Sequence, residues 1–297
     1  MQSIEKSNTY DLVSLAKLPP GSKLVNSIWV FKIKQNSDGS IDKFKARVTA
    51  DGRTQRHGID YTETFAPVAF ASTIRLVIAM ATNLALSLWQ FDIKCAFLIG
   101  DLKPTERVYL RPPQGSGQRG YAWHLKKSLY GLKQSPRVFN QHLHKSLQEA
   151  LDFVSCEHDP CLYIHKDPYA LLAVIVDDML LATNDDKFAK LFYKTLSGIY
   201  EIKDMGSPEY MIGIKINVTD TATELSQAQY INDLCTKHKV SATPTQLPAS
   251  ATDVLISTGL KGGKPSPPLS DKTAYRSLIG GLMYALVTRP DIATAVV

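Results

Sequence analysis

Two short segments near the start of the chain alternate between apolar and largely basic side chains. Residues 29–34 read WVFKIK, and residues 43–48 read KFKARV. A period of two places successive side chains on opposite faces of a strand. The intervening residues 36–39 (NSDG) are typical of a turn. The pattern predicts a β-hairpin with one apolar face and one basic face, and the basic face is either a solvated surface or one that contacts phosphate groups.

Beyond this hairpin, predicted strands and helices follow one another. Apolar spacing predicts helices at 73–86, 136–151, 184–199, 227–238 and 274–287, and strands at 88–93, 161–164, 170–176, 179–182 and 210–216. The middle of the chain has the order strand, helix, strand, strand, helix, strand. This order is typical of a split βαβ, or ferredoxin-like, unit, an α+β fold whose antiparallel sheet carries helices on one face.

The ends of the chain are less regular. Residues 1–24 are predicted to be an irregular lead-in that ends in a Pro-Pro-Gly turn. Residues 241–273 are rich in Ser, Thr, Pro and Gly and are predicted to be a linker or long loop.

The distribution of charge adds a candidate partner. The 297 residues carry a net charge of +6, and the segment 107–148 contains no acidic residue. Five aromatic residues are interleaved with its cations, namely Tyr109, Tyr121, Trp123, Tyr130 and Phe139. Cations mixed with aromatic rings suit a groove that binds nucleic acid, and the alternative is an ordinary basic surface.

Composition also excludes some classes of protein. Four cysteines are too few for a disulfide scaffold at this length, and no run of 18 apolar residues is present. We therefore expect an intracellular protein that does not bind a membrane.

Three carboxylates are the candidate chemistry. Asp177 and Asp178 lie between two apolar strand segments, where they are predicted to occupy the tip of a tight hairpin. Taken alone, such a pair is as consistent with turn geometry as with a site. Asp92 ends another predicted strand, and pairing of the two strands would bring the three carboxylates together. Clustered carboxylates repel one another unless a hard divalent cation binds them, so the pattern predicts a site for two metal ions.

Several collinear segments resemble the reverse transcriptase of copia-type LTR retrotransposons. They are 29–34 (WVFKIK), 45–47 (KAR), 58–61 (GIDY), 63–68 (ETFAPV), 90–100 (QFDIKCAFLIG), 128–137 (SLYGLKQSPR), 176–178 (VDD), 204–206 (DMG) and 288–292 (TRPDI). Each is a weak signal alone, but together they cover nearly the whole chain and are highly specific.

The resemblance implies a right-hand polymerase fold of fingers, palm and thumb, with the ferredoxin-like sheet as the palm. The implied divisions are a lead-in at 1–24, fingers at 25–88, a palm at 89–217 with a fingers-type insertion at about 100–133, and an incomplete thumb or connection at 218–297. No segment resembles a protease, an integrase or a ribonuclease H domain, and the chain stops inside a predicted helix. A fragment of a longer polyprotein is therefore the expectation.

The resemblance also implies roles for individual residues. Asp92, Asp177 and Asp178 match the metal-binding and catalytic aspartates of the family. The nucleotide-binding positions are Lys45, Arg47, Phe97 and Gln134, and the template or primer positions are Gly131, Lys133, Arg137 and Gly213. Phe97 is as consistent with core packing as with contact to the sugar of the nucleotide. Lys203 is a candidate general acid for the pyrophosphate leaving group.

The implied function is that of an RNA-directed DNA polymerase, which extends a primer 3′-hydroxyl with dNTPs. Its cofactors would be two Mg²⁺ ions, with Mn²⁺ as the alternative. Its partners would be an RNA template, a DNA primer or product, dNTPs and the rest of the retrotransposon polyprotein. The expected location is the cytoplasm or a virus-like particle, with transit to the nucleus.

Several positions depart from the family pattern. The family commonly has other residues where this chain has Val48, Thr49, Asp51, Arg53, Ile99, Phe139 and Ile175. Asp51 also adds a negative charge near the expected path of the triphosphate. Ile175 and the end of the chain inside a predicted helix favour an alternative function, in which a catalytically decayed fragment only binds nucleic acid, whereas the three intact aspartates oppose it. A third and more remote alternative is an unrelated RNA-binding domain with a palm-like fold.

Overall fold

The computed structural model describes residues 1–35, 40–219, 221–240 and 271–296. The predicted turn at 36–39 and most of the predicted linker at 241–273 lie outside the described residues. The chain divides into two compact units, Met1–Ser207 and Pro208–Val297, so the boundary between the units precedes residue 217. None of the helices in the described ranges is long and apolar enough to cross a membrane.

The first unit contains twelve strands and four α-helices within its described residues. The strands are β1 (Tyr10–Ser14), β2 (Leu24–Val25), β3 (Ser27–Gln35), β4 (Ile41–Ala50), β5 (Ser87–Ile93), β6 (Tyr109–Leu110), β7 (Tyr121–Leu125), β8 (Val154–Ser155), β9 (Leu162–His165), β10 (Ala170–Ile175), β11 (Asp178–Thr183) and β12 (Ile202–Gly206). The helices are α1 (Gln2–Lys6), α2 (Ala71–Asn83), α3 (Ser135–Leu151) and α4 (Asp186–Ser197).

The central sheet of the first unit has six strands in the order β12-β5-β11-β10-β9-β8, and all neighbours are antiparallel. The order β5, α3, β9, β10, β11, α4, β12 along the chain agrees with the predicted ferredoxin-like arrangement, except that its last strand is β12 at Ile202–Gly206 and not the strand predicted at 210–216. The α+β fold and its antiparallel palm-type sheet are therefore confirmed.

Both faces of this sheet are covered, so the expectation of helices on one face only was wrong. Phe91, Met179 and Leu181 belong to a core cluster with side chains of α3 and α4. Leu180 and Ala182 point to the opposite face because side chains alternate along a strand, and they are fully buried as well. Helix α2 packs against β5, β10 and β11, and its buried residues lie outside that cluster.

The start of α2 is held by a distant carboxylate. The helix begins at Ala71, and its N-cap residue Phe70 provides no side-chain hydrogen bond. The buried Asp159 accepts hydrogen bonds from the backbone N–H of Phe70 at 3.1 Å and from the hydroxyl of Thr73 at 2.5 Å. This contact joins the helix to the loop that precedes β9.

Strands β3 and β4 form the predicted hairpin, with antiparallel pairs that run from Ser27↔Ala50 to Gln35↔Ile41. The pairs alternate between apolar and basic partners. Phe31 lies opposite Ala46, and Lys32 lies opposite Lys45. The cations therefore share one face of the ribbon, as the period of two indicates.

Residues 1–24 are not an irregular lead-in. Strand β1 pairs antiparallel with β7, and β7, β6 and β2 complete a four-stranded sheet. The ring of Tyr10 stacks on that of Trp123 with 4.0 Å between centroids. Local sequence patterns do not reveal this pairing because the two strands are far apart along the chain.

The second unit is smaller. Its described elements are β13 (Tyr210–Met211), β14 (Ile214–Val218), β15 (Thr223–Ser226), α5 (Ala228–Lys237), α6 (Lys272–Ala285) and α7 (Ala293–Val296). The predicted strand at 210–216 is instead a hairpin, because Ile212 and Gly213 turn the chain with positive φ angles. The hydroxyl of Tyr284 donates a hydrogen bond to the carbonyl oxygen of Ile212.

Candidate active site

The three predicted metal-binding aspartates lie at one end of the central sheet. Asp92 lies directly opposite Asp178 in the pairing of β5 with β11, so their side chains share one face. Asp177 belongs to the two-residue turn between β10 and β11, where Val176 has a φ of 56°. The carbonyl oxygen of Asp177 accepts a hydrogen bond of 2.8 Å from the N–H of Ile93. The turn and the strand pairing thus bring the three carboxylates together from distant parts of the chain.

The electrostatics of these aspartates reflect burial and mutual repulsion. Burial raises the pKa of Asp178 to about 6, and the nearby charges of Asp177 and Asp92 add to the effect. A hydrogen bond from the side chain of Gln90, two residues before Asp92 on the same face, partly offsets it. Burial also raises the pKa of Asp177, with a smaller contribution from Asp92. The surroundings therefore do not fully stabilise the three carboxylates when all of them are ionised.

This donor set fits a divalent cation. Carboxylate oxygens are the ligands that Mg²⁺ and Mn²⁺ prefer, and a cation would remove the repulsion that raises the pKa of Asp178. Within the described ranges, no group of three or more His, Cys, Asp or Glu side chains is already arranged to hold a metal ion. Joint coordination by Asp92, Asp177 and Asp178 therefore requires their side chains to adjust around the ion.

A cavity of about 420 Å³ lies beside the acidic cluster. It is lined by two of the aspartates, Asp92 and Asp177, and by the ring of Tyr130. Its basic lining residues include Lys32, Lys34, Lys45 and Arg47. One cavity thus presents cations from the β3–β4 hairpin and carboxylates from the central sheet.

No ion pair among the described residues involves the four hairpin cations that line the cavity, although Lys43 of the same hairpin pairs with Asp42. These four cations are Lys32, Lys34, Lys45 and Arg47. Burial lowers the pKa of Lys45, and the neighbouring charges of Arg47 and Lys34 lower it further. Such a group of cations favours an anionic ligand.

A second, larger cavity differs in its chemistry. It has a volume of about 540 Å³ and lies under the loop that connects β6 to β7. Its charged lining residues are Arg111 and Arg119, and no carboxylate lines it. Of these two cavities, the smaller one combines opposite charges in the manner expected for metal-assisted chemistry on a phosphate.

Phe97 lies behind the cavity lining. It is half-buried, and its ring makes edge-to-face contacts with Tyr130 and Phe139 at 5.1 and 6.2 Å between centroids. Tyr130, which the sequence indicated only as one of the aromatic residues of segment 107–148, is the aromatic residue that lines the cavity. The sequence contained a signal for Tyr130, because it precedes Gly131 in the motif 128–137.

Gln134 lies inside a buried hydrogen-bond network. Its side chain is 1% exposed. Its amide nitrogen donates to the carbonyl oxygen of Asp60 at 2.8 Å, and its amide oxygen accepts from Gln55 at 3.0 Å. The same nitrogen lies 3.5 Å from a carboxylate oxygen of Glu106. The structure does not bring this side chain to the cavity.

Lys133 and Arg137 contact the segment 61–65 of the same unit. The Lys133 ammonium lies 4.8 Å from the centroid of the Tyr61 ring and donates to its hydroxyl at 3.3 Å. Arg137 donates to the carbonyl oxygen of Phe65 at 3.1 Å and forms an ion pair with Glu63. Both cations therefore connect two of the segments that carry the family resemblance.

Gly131 has a structural reason for being glycine. Its φ is +86°, and a Cβ there would overlap the carbonyl oxygen of Ala50. The backbone N–H of Ala50 also donates to the carbonyl oxygen of Tyr130 at 2.7 Å. The motif 128–137 therefore packs directly on the end of β4, which carries Lys45 and Arg47.

The remaining predicted site residues lie in different parts of the molecule. Lys203 is directly opposite Asp92 in the pairing of β12 with β5 and is exposed. Its backbone position therefore continues the row that Asp178 and Asp92 begin. Gly213, with a φ of +78°, belongs to the β13–β14 turn of the second unit.

The aromatic residues of segment 107–148 are mostly core. Tyr109, Trp123 and Phe139 are buried, whereas Tyr121 is exposed and Tyr130 is half-buried. A surface on which several of these rings stack on bases is therefore not present. Interleaving with cations did not distinguish core rings from surface rings, because β-strands and amphipathic helices produce the same alternation.

Asp51, one of the departures from the family pattern, has a local partner. The Arg53 guanidinium donates to both carboxylate oxygens of Asp51 at 2.8 and 3.0 Å. This interaction lowers the pKa of Asp51 and offsets its charge. The expected interference with an anionic ligand is reduced accordingly.

Comparison with known proteins identifies similar sequences. The reverse transcriptase (RNA-dependent DNA polymerase) family matches residues 7–250. The chain is 34% identical to the retrovirus-related Pol polyprotein from transposon TNT 1-94 of Nicotiana tabacum, over 100% of the chain and 23% of the polyprotein. It is 36% identical to the corresponding polyprotein from transposon RE1 of Arabidopsis thaliana, over 98% of the chain and 19% of the polyprotein. The chain thus spans less than a quarter of either relative.

A solved structure is also similar, at a greater distance. The foamy viral protease-reverse transcriptase in complex with double-stranded DNA aligns over 95% of this chain and 38% of that chain, with 13% identity and a TM-score of 0.45. This similarity is too low to support inferences about the site.

Proposed function

Because this chain belongs to the reverse transcriptase (RNA-dependent DNA polymerase) family, we propose that it extends a primer 3′-hydroxyl with dNTPs on an RNA template. The observation that carries the proposal is the cavity of about 420 Å³, which combines two carboxylates with four hairpin cations. A nucleoside triphosphate has the complementary chemistry. Its phosphates bind basic side chains, and they also bind a divalent metal ion that carboxylates can hold.

In this proposal Asp92, Asp177 and Asp178 hold two Mg²⁺ ions, or Mn²⁺ ions in their place. When bound, such ions lower the pKa of the attacking hydroxyl and stabilise the charge on the leaving pyrophosphate. Lys45 and Arg47 bind the triphosphate oxygens and orient the α-phosphate towards the primer. Arginine suits this role because its planar fork donates two hydrogen bonds to one phosphate. Catalysis then rests on positioning and charge stabilisation.

The other predicted residues have supporting roles. Lys203 is the candidate general acid for the pyrophosphate, since its position lies opposite Asp92. We assign Phe97 to the support of Tyr130, and Gly131 to the packing of the motif 128–137 on β4. We assign Lys133, Gln134 and Arg137 to the contacts that join this motif to residues 55–65. Gly213 is the candidate primer contact in the second unit. The proposed divisions remain fingers at 25–88 and palm at 89–217.

The partners and location follow from the relatives. The two plant relatives are Pol polyproteins of transposons. We therefore propose that this chain works as part of a polyprotein, with an RNA template and a DNA primer, in the cytoplasm or in a virus-like particle.

Primer extension tests the proposal. The chain is incubated with an RNA template, a labelled DNA primer, dNTPs and Mg²⁺, and compared with Asp177→Asn. We expect incorporation by the wild type and none by the variant. Asp42→Asn is the matched control, because it removes an exposed carboxylate of β4 outside the cavity, and it should retain incorporation. Equal signals from the wild type and Asp177→Asn would refute the polymerase function.

The second candidate function is nucleic-acid binding without catalysis. It is favoured by the absence, in the described part of the chain, of side chains already arranged to hold a metal. Salt-sensitive binding of the primer–template without any extension would support this function in place of the first.

A further inference from the structure

Tyr130 lies between the two halves of the candidate site. Its ring lines the cavity together with Arg47, Asp92 and Asp177. The Arg47 guanidinium carbon lies over the ring, 5.3 Å from its centroid. Phe97 contacts the same ring edge to face. The Tyr130 ring therefore contacts both the half-buried Phe97 and the Arg47 guanidinium in the cavity.

The ring of Tyr130 is the contact that the structure shows for the Arg47 guanidinium. No ion pair among the described residues includes Arg47, and the residue opposite it in the hairpin is the apolar Val30. A long side chain in this position would lose considerable rotamer freedom when it binds a phosphate. An aromatic face attracts a guanidinium and restricts its orientation before the ligand arrives.

The loop and the hairpin are also joined through the backbone. The N–H of Ala50 donates to the carbonyl oxygen of Tyr130 at 2.7 Å, and Gly131 packs against Ala50. Ala50 follows Arg47 by three residues on β4. These contacts therefore fix the position of the residue that carries the ring relative to the strand that carries Arg47.

We propose that Tyr130 is a positioning residue, whose ring holds the Arg47 guanidinium ready to bind the phosphates of a nucleoside triphosphate. This inference rests on the proposed function, since it assigns the cavity to the nucleotide. Phe97 then acts through Tyr130 by supporting its ring. The aromatic face carries the effect, and the hydroxyl contributes little.

The effect is measured as the dissociation constant of a dNTP on the chain loaded with a dideoxy-terminated primer on an RNA template, and as the KM and kcat of extension. Tyr130→Leu removes the ring and should weaken dNTP binding by about threefold to tenfold, the range expected of a cation–π contact. Tyr130→Phe keeps the ring and should have a smaller effect. In both variants KM should change more than kcat.

A double-mutant cycle separates positioning from general loss of structure. In an Arg47→Met background, Tyr130→Leu should cause no further weakening of dNTP binding. Tyr169→Leu is the matched control, because Tyr169 precedes β10 at the end opposite to Asp177. The dNTP affinity of the Tyr169→Leu variant should equal that of the wild type.

Should Tyr130→Leu fail to fold, Arg47→Lys replaces it, because lysine keeps the charge and loses the planar face. Arg47→Lys should then weaken dNTP binding by the same factor in the wild type and in the Tyr130→Phe background, because the aromatic face is present in both.

Additive effects of Tyr130→Leu and Arg47→Met would overturn the inference, as would equal effects of Tyr130→Phe and Tyr130→Leu. Arg47→Lys with wild-type dNTP affinity would overturn it as well. These outcomes differ from failure of the polymerase function. A wild-type chain that binds the dNTP but extends no primer would refute the polymerase function, while the binding series would still decide the role of Tyr130.

Discussion

At the scale of single residues, Asp178 combines partial burial with two neighbouring carboxylates. Those conditions raise its pKa to about 6. In the unfolded chain an aspartate titrates near about 3.9. The folded protein therefore binds a proton at Asp178 more tightly than the unfolded chain does.

This difference predicts a pH dependence of stability in the absence of metal. Because the folded pKa is raised, the favourable contribution is present below the unfolded pKa, and it is lost as the pH rises through about 6. Asp178→Asn should therefore raise the free energy of unfolding at pH 8 more than at pH 4. Urea denaturation in a chelating buffer measures the free energy of unfolding at each pH, with Asp42→Asn as the exposed control. A stabilisation by Asp178→Asn that is the same at both pH values would contradict the burial of a charged group.

The sequence allowed some residue-level predictions and not others. The close approach of Asp92 to Asp178 was predictable, because strand alternation and a two-residue turn constrain which face of the sheet they occupy. The partners of Gln134 were not, because Gln55 lies 79 positions away and nothing local connects the two side chains. A motif shows that a residue type is needed, but it does not show whether a ligand or the protein itself is the partner.

At the scale of elements, the β3–β4 hairpin and the motif 128–137 form one packed contact. The period of two predicted the basic face of the hairpin correctly. It did not predict what the hairpin packs against, since that depends on the positive φ of Gly131 and the carbonyl oxygen of Ala50. The pairing of β1 with β7 was missed for the same reason, because long-range pairing leaves no local pattern.

A pair of glycine substitutions tests this contact. Gly131 and Gly115 have nearly equal φ angles of +86° and +87°, but only Gly131 has backbone atoms where a Cβ would lie. Gly115→Ala should cost about 1 kcal/mol from backbone strain alone. Gly131→Ala should cost about 3 kcal/mol or more, because β4 must also move.

Chemical denaturation of both variants provides the comparison. Equal losses of stability would show that the motif does not pack on β4 as described. A larger loss for Gly131→Ala should be accompanied by weaker dNTP binding, because Arg47 lies on the strand that is displaced.

At the scale of the whole molecule, charge is the property that a polymerase uses to hold nucleic acid. The chain has a net charge of +6. Binding to a primer–template releases counterions from the phosphates, so affinity should fall linearly on a logarithmic scale as salt increases.

The expected size of this effect follows from the number of phosphates contacted. Contact with about four phosphates would reduce affinity by about a hundredfold between roughly 50 and 200 mM salt. Fluorescence anisotropy with a labelled primer–template measures the slope. A slope near zero would indicate that the basic residues do not contact the nucleic acid.

The positions of the helices were more predictable than the division of the chain into two units. Predicted helices agree with the described ones to within three residues at each end, because apolar periodicity reports burial directly. The palm boundary at 217 came from the family resemblance and stays a prediction, whereas the division after Ser207 depends on contacts throughout the chain.

The central claim is that β5 and β11 join Asp92, Asp177 and Asp178 into one metal site. Binding of Mn²⁺, followed by electron paramagnetic resonance in the presence of primer–template and dNTP, tests it most directly. We predict that Asp92→Asn and Asp177→Asn each weaken binding of the same ions, although Asp92 lies on β5 and Asp177 in the turn between β10 and β11. An Asp92→Asn chain that binds Mn²⁺ with the stoichiometry and affinity of the wild type would contradict the account.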